Sequence, residues 1–97
     1  MGRLSVRWLR AALRDLDAQA PFIASDNPHA AREMISRVRS AVERLAEHPD
    51  LGRHGRVPGT RELVVPGTPY VIPYRVRGSA VEVLRLFHGA QRRPLSP

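Results

Sequence analysis

The six residues Asp26-Asn27-Pro28-His29-Ala30-Ala31 decide how this chain folds. Asn27 suits a helix N-cap, because its side-chain oxygen can accept the amide hydrogens left unpaired in the first turn. Pro28 suits the first helical position, where its missing N–H would have had no partner in any case. A helix therefore starts here, and whatever precedes it has to end before the Asp-Asn-Pro triplet. Upstream, Leu9, Leu13, Leu16, Ala20 and Ile23 recur four, three, four and three residues apart. That spacing predicts an apolar stripe on one helix face, with Arg10, Arg14, Asp15 and Asp17 on the opposite side. Downstream, Ala31, Met34, Ile35, Val38, Val42 and Leu45 form a second stripe, with Arg32, Arg37, Arg39 and Arg44 elsewhere and Pro49 as a stop. Two such stripes joined by a tight turn pack as an antiparallel helical hairpin.

Outside the hairpin the period changes to two. Residues 3–7 alternate, Leu4 and Val6 against Arg3, Ser5 and Arg7, and read as a first strand that gives way to helix at Trp8. Leu51 to Gly59, with three Gly and one Pro, reads as loop. Leu63-Val64-Val65, Tyr70 to Val76 and Val81 to His88 read as strands, separated by turns at Pro66–Pro69 and Arg77–Ser79. The last run is apolar on both faces apart from Glu82, Arg85 and His88, the pattern of a central strand covered by helices. Pro73 interrupts the middle strand and belongs at an edge or a bulge, since it cannot donate to a ladder. The polar tail at residues 91–97 reads as frayed. The expectation is an α+β fold of order β-α-α-β-β-β, a small, mostly antiparallel sheet with the hairpin on one face.

The 97 residues are enough for one domain with a modest core, and 42% hydrophobic content fills it. No apolar run approaches the roughly 20 residues that span a bilayer, and the amino end has no signal-peptide core. The expected location is cytoplasmic. Cysteine is absent, which removes disulfides, thiol nucleophiles and thiolate-bound metals together. All sixteen basic residues are Arg, and with nine acidic residues they leave a net charge of +7. Planar guanidinium groups favour phosphate and carboxylate partners, so an acidic protein or nucleic acid is expected.

Recognised catalytic motifs are missing. The histidines at 29, 48, 54 and 88 have no metal-ligand spacing, and no glycine-rich loop opens a helix, so neither metal nor cofactor is expected. Gly52-Arg53-His54-Gly55-Arg56 could offer amides and two guanidinia to a phosphate. Arg75 and Arg85 interrupt apolar strands, where a charge must either reach solvent or pair, with Glu62 and Glu82 at hand. A sheet face carrying Arg75, Arg85, His88, Arg53 and Arg56 would suit phosphate binding or RNA cleavage.

Several segments together resemble the RelE/ParE superfamily of toxins from bacterial type II toxin–antitoxin systems. They are Val6-Arg7-Trp8 with Ala12 and Asp15-Leu16, then Phe22-Ile23-Ala24 with the 26–31 restart. Leu45-Ala46-Glu47-His48-Pro49 with Leu51-Gly52-Arg53 follows, then Gly59-Thr60-Arg61-Glu62-Leu63. The series closes with Pro69-Tyr70-Val71-Ile72, Tyr74-Arg75-Val76 and Leu84-Arg85-Leu86-Phe87-His88-Gly89-Ala90. The resemblance implies a growth inhibitor silenced by a cognate acidic antitoxin in a hetero-oligomer. It also implies one of two mechanisms: metal-independent cutting of mRNA on the ribosome, as in RelE-like members, or inhibition of DNA gyrase, as in ParE-like members.

Departures from the cleaving members favour gyrase, and a non-toxic module that only binds an acidic partner or nucleic acid also fits the charge. The loop after the helices has no Lys, Val71 stands where an Arg would precede Tyr74 by three residues, and no Tyr follows Tyr74. Were the chain a nuclease, the resemblance would put catalysis on Arg75, Arg85 and His88. Arg53, Arg56, Arg61, Arg92 and Arg93 are the candidates for contacting target or phosphate.

Overall fold

The computed structural model describes residues 3–89, and the order along the chain is β1 (Ser5–Trp8), α1 (Arg10–Asp26), α2 (Pro28–Arg44), β2 (Arg53–His54), β3 (Arg61–Val64), β4 (Tyr70–Arg77), β5 (Ala80–Val83) and β6 (Phe87–His88). The strands form one sheet ordered β1-β5-β4-β3-β2, with β6 also pairing β4. Every pairing is antiparallel except β1 with β5, because the helical hairpin carries the chain across before β5 returns beside β1. The expected α+β architecture is what forms, and β5 is indeed interior.

The helix restart is built as its residues require. The Asn27 side chain accepts from the amides of His29 at 3.0 Å and Ala30 at 3.2 Å, and Pro28 opens α2. Ala31, Met34, Val38 and Val42 are the buried face of that helix. Met34, Val38 and Val42 meet Leu63, Ile72, Tyr74, Val81 and Val83 of the sheet, with the adjoining Val65 and Leu86, in one core. At the far end of α2, Leu45 and Ala46 continue inward, and the Ala46 carbonyl accepts the Leu4 amide at 2.9 Å, tying the hairpin to β1.

Three expectations need correction. The α1 stripe is rotated: Leu13 is 46% exposed, Ala12 is fully buried, and Leu16 is half-buried against the core. The inward line runs Ala12, Asp15, Leu16, Gln19, so the face is centred about one residue away from the leucines. Ala20 and Ile23 lie outside the described side chains. The 51–59 segment contains a short strand, β2, because its Arg53 finds Glu62 directly across on β3. Trp8 ends the first strand and does not begin the helix, its register partner being Val83.

The last expected strand is broken by a bulge. Tyr74 faces Val83 and Val71 faces Phe87, so three steps along β4 match four along the partner. The extra residue reverses the alternation, which places Val81 and Val83 on the helix side before the break and His88 on that side after it. This is why a strand with apolar residues on both parities still fills one core. Pro73 supplies the reason for the position. Its carbonyl accepts the Leu84 amide at 2.9 Å, and its nitrogen faces the same neighbour, so the missing donor falls where the ladder is already interrupted.

Candidate functional site

The two faces of the sheet hold different chemistry. Register places Arg75, Glu82 and Arg7 in one row across β4, β5 and β1, on the side away from the helices, with Arg77 two residues along β4. Arg75 gives its Nε to Glu82 Oε1 at 2.7 Å. That hydrogen bond is the main cause holding the Glu82 carboxyl below its ordinary range; burial opposes it, and the charges of Arg75, Arg77 and Arg7 add to it. A second pair lies on the same face, where Arg53 Nε and Nη2 reach Glu62 Oε1 at 3.3 and 3.1 Å. The sequence-level pairing of Arg75 with Glu82 therefore forms, whereas Glu62 serves Arg53.

Arg85 goes elsewhere. It leaves the bulge toward α1 and meets Asp15 through Nε at 2.7 Å and Nη2 at 3.1 Å. The Leu86 amide donates to the same carboxylate at 2.9 Å. Asp15 thus satisfies the backbone donor that the bulge takes out of the ladder, and its hydrogen bond raises the Arg85 pKa further above the usual arginine range. The Arg85 guanidinium also lies 4.9 Å above the Phe87 ring. His88 sits across from Tyr70 with the rings edge-on at 5.7 Å, and the Tyr70 hydroxyl reaches Gln19 of α1 at 3.4 Å. Burial pushes the Tyr70 phenol up.

Arg75 is thus set apart from Arg85 and His88, the other two residues expected to share a catalytic role. His88 is registered with Tyr70, and Arg75 stands five residues further along β4 on the other face, roughly 17 Å away at about 3.4 Å per residue. Arg61, a candidate for target contact, instead donates Nη1 to the Gly52 carbonyl at 2.7 Å. Arg56 is exposed in the β2–β3 connection, and Arg92 and Arg93 lie outside the described residues.

Reading the sequence missed Tyr74 and Asp15. The Tyr74 side chain is fully buried, and its hydroxyl donates to the Pro49 carbonyl at 2.7 Å while accepting from Gly52 N at 2.8 Å. Burial raises its pKa, the Gly52 hydrogen bond working against that. With Arg61 on the Gly52 carbonyl, this hydroxyl fixes the turn that presents Arg53 and His54. A tyrosine in a strand next to an Arg gave no sign of so distant a partner. Asp15 carried a faint one, as the residue beside Leu16 on a helix whose buried face is rotated from its leucine stripe.

The same arrangement occurs in known proteins. The family model for the ParE toxin of type II toxin–antitoxin systems matches residues 6–93. The chain belongs to that family. Y4kP of Sinorhizobium fredii, a toxin-named protein, is 45% identical over 94 residues, covering 97% of each chain. Toxin RelE2 of Caulobacter vibrioides is 38% identical over 86 residues, 89% of this chain and 96% of its own. Among solved structures, a chromosomal ParDE system from P. aeruginosa superimposes with a TM-score of 0.79 at 29% identity, over 89% of this chain and 96% of that one. The RelBE2 toxin–antitoxin complex from Mycobacterium tuberculosis gives a TM-score of 0.64 at 25% identity, over 94% and 97%. This protein is accordingly the toxin of a type II toxin–antitoxin system. Among its described residues no helix is long and apolar enough to cross a membrane.

Proposed function

We propose that this toxin arrests growth by binding and poisoning DNA gyrase, and that a cognate acidic antitoxin holds it silent in a hetero-oligomer within the cytoplasm. The observation that carries the reading is the separation of Arg75 from Arg85 and His88. Cutting RNA without metal needs a cation on the scissile phosphate and a proton-transfer group within hydrogen-bond reach of the same atoms. Here Arg75 is bonded to Glu82 on one face, and Arg85 is bonded to Asp15 on the other side of the sheet. His88 is five strand residues from Arg75. Poisoning a topoisomerase by binding needs no such constellation, and the ParE family match agrees with it.

The RelE-named relatives favour a second reading, ribosome-dependent mRNA cleavage. One experiment separates the two. Purified toxin is added to gyrase with relaxed plasmid, and separately to programmed ribosomes. Lost supercoiling or trapped cleaved DNA, with intact mRNA, is the expected outcome. Codon-phased mRNA cuts with unimpaired gyrase would overturn the proposal.

A further inference from the structure

Charge is divided unequally between the two layers of the fold. From residue 9 to residue 48, the helical hairpin, six Arg are matched by six Asp or Glu. Outside it stand ten Arg and three acidic residues, so the entire net charge of +7 belongs to the sheet, its loops and the terminal segments. On the sheet, the side away from the helices carries Arg7, Arg75, Arg77 and Arg53 with Glu82 and Glu62. Those two carboxylates are only 6% and 8% exposed. Solvent therefore meets guanidinium, while the negative charge lies beneath it.

The central cation of this face is also prepositioned. Arg75 is fixed through its Nε on a buried carboxylate, which leaves its terminal nitrogens to other acceptors. Arg7 and Arg77 flank the same carboxylate, are exposed, and make no hydrogen bond or ion pair with the described residues. Three guanidinia around one buried carboxylate leave a local excess of positive charge on this face.

We propose that this open sheet face, centred on Arg7, Arg75 and Arg77, binds the phosphate backbone of duplex DNA. The inference goes beyond the gyrase reading and does not need it. A backbone contact of this kind requires regularly placed cations and no sequence-reading groups, which is what the face provides. Single-stranded RNA would call for aromatic rings on which bases stack, and the aromatic residue in register on this side, Phe87, lies beside Val71, four residues along β4 from Arg75. An acidic peptide would call for apolar anchor pockets at the centre of the patch. The exposed large apolar residue available there is Val64, two strands from Glu82.

The test is fluorescence anisotropy of a labelled duplex of random sequence titrated with full-length toxin over a series of salt concentrations. Arg7→Gln with Arg77→Gln is compared with Arg32→Gln with Arg39→Gln, which removes the same charge from the helical layer. The open-face pair should weaken binding at least tenfold and flatten the log–log salt slope by about 2, close to one for each lost phosphate contact. The helical pair should change affinity no more than about twofold. Equal losses in both pairs would reduce the effect to net charge and overturn the proposal. So would tighter binding of single-stranded RNA or of a poly-glutamate peptide than of the duplex. Should the double variant fail to fold, Arg77→Gln alone, at an exposed strand end, carries the same comparison against Arg39→Gln.

Discussion

Asp15 of α1 and Arg85 of the bulge between β5 and β6 are joined by two parallel hydrogen bonds, and the same carboxylate takes the Leu86 amide that the bulge releases. One helix side chain thus closes a break in the sheet 70 residues further on. The arrangement makes the two partners unequal. Asp15 is mostly buried, with its side chain 18% exposed, whereas Arg85 retains 41% and can turn to water.

Asp15→Ala should therefore cost more than Arg85→Ala. Removing the carboxylate strands the amide of Leu86, a residue 1% exposed, and an unsatisfied buried donor costs about 1–3 kcal/mol. Removing the guanidinium ends a half-exposed ion pair, where the loss is on the order of 1 kcal/mol or less. Urea unfolding of the two variants checks the order. Equal destabilisation would mean that the Leu86 amide finds another acceptor.

The Tyr74 hydroxyl gives a second prediction. Tyr74→Phe leaves the buried Gly52 N without its acceptor and the half-buried Pro49 carbonyl without its donor. The expected loss is about 2 kcal/mol. Gly52→Ala should be at least as harmful. A Cβ there would stand 2.6 Å from the Tyr74 ring and 2.8 Å from the Glu62 carbonyl, and the second of these is backbone that cannot swing aside. Thermal unfolding that leaves either variant within a degree of the parent would contradict the placement of this turn.

How much of this could be read in the sequence depends on how local the signal was. Asn27 and Pro28 act on their own first turn, so the helix restart was legible residue by residue. The α2 stripe was legible because Met34, Val38 and Val42 all face a single sheet. The α1 stripe misled at Leu13, because alanine at position 12 lets the helix approach the core closely, and periodicity weights large residues over small ones. Pro73 announced a bulge or an edge but not which. Choosing between them needed the strand order, a product of long-range pairing. The ion pairs divide in the same way: Arg75 and Glu82 are neighbours across one tight turn and could be guessed, while Asp15 and Arg85 are brought together only by the finished fold.

Glu82 makes stability depend on acid. Its carboxyl is held below the ordinary 4.5, first by the Arg75 hydrogen bond, with burial opposing and the charges of Arg75, Arg77 and Arg7 adding. A depressed carboxylate pKa means that the unfolded chain takes up the proton first as pH falls. The stabilisation is complete above about pH 4.5 and is lost as the pH drops toward the folded-state value. In unfolding measurements from pH 6 to pH 3, the advantage of the parent over Glu82→Gln should shrink below about pH 4.5. An advantage that stays constant across that range would show that the pair contributes nothing through charge.

The final prediction concerns toxicity under controlled expression without antitoxin. If growth arrest comes from gyrase, no residue has to transfer a proton, and His88→Ala should retain most of the arrest. His88 lies against Tyr70 at the end of the sheet, so its loss removes a ring contact worth on the order of 1 kcal/mol and no chemistry. Arg75→Ala should likewise keep the arrest at the level its folded fraction allows, since its partner Glu82 lies far from His88 along the strands. A nuclease would behave differently: losing a phosphate-stabilising cation typically costs about 10²–10³ in rate, and losing the acid or base a comparable factor. The measurement is colony survival together with an SOS reporter and primer extension on a ribosome-bound transcript. Survival restored by His88→Ala or Arg75→Ala in a protein that still folds, with the disappearance of mRNA cuts seen in the parent, would assign the site to RNA cleavage and end the gyrase reading.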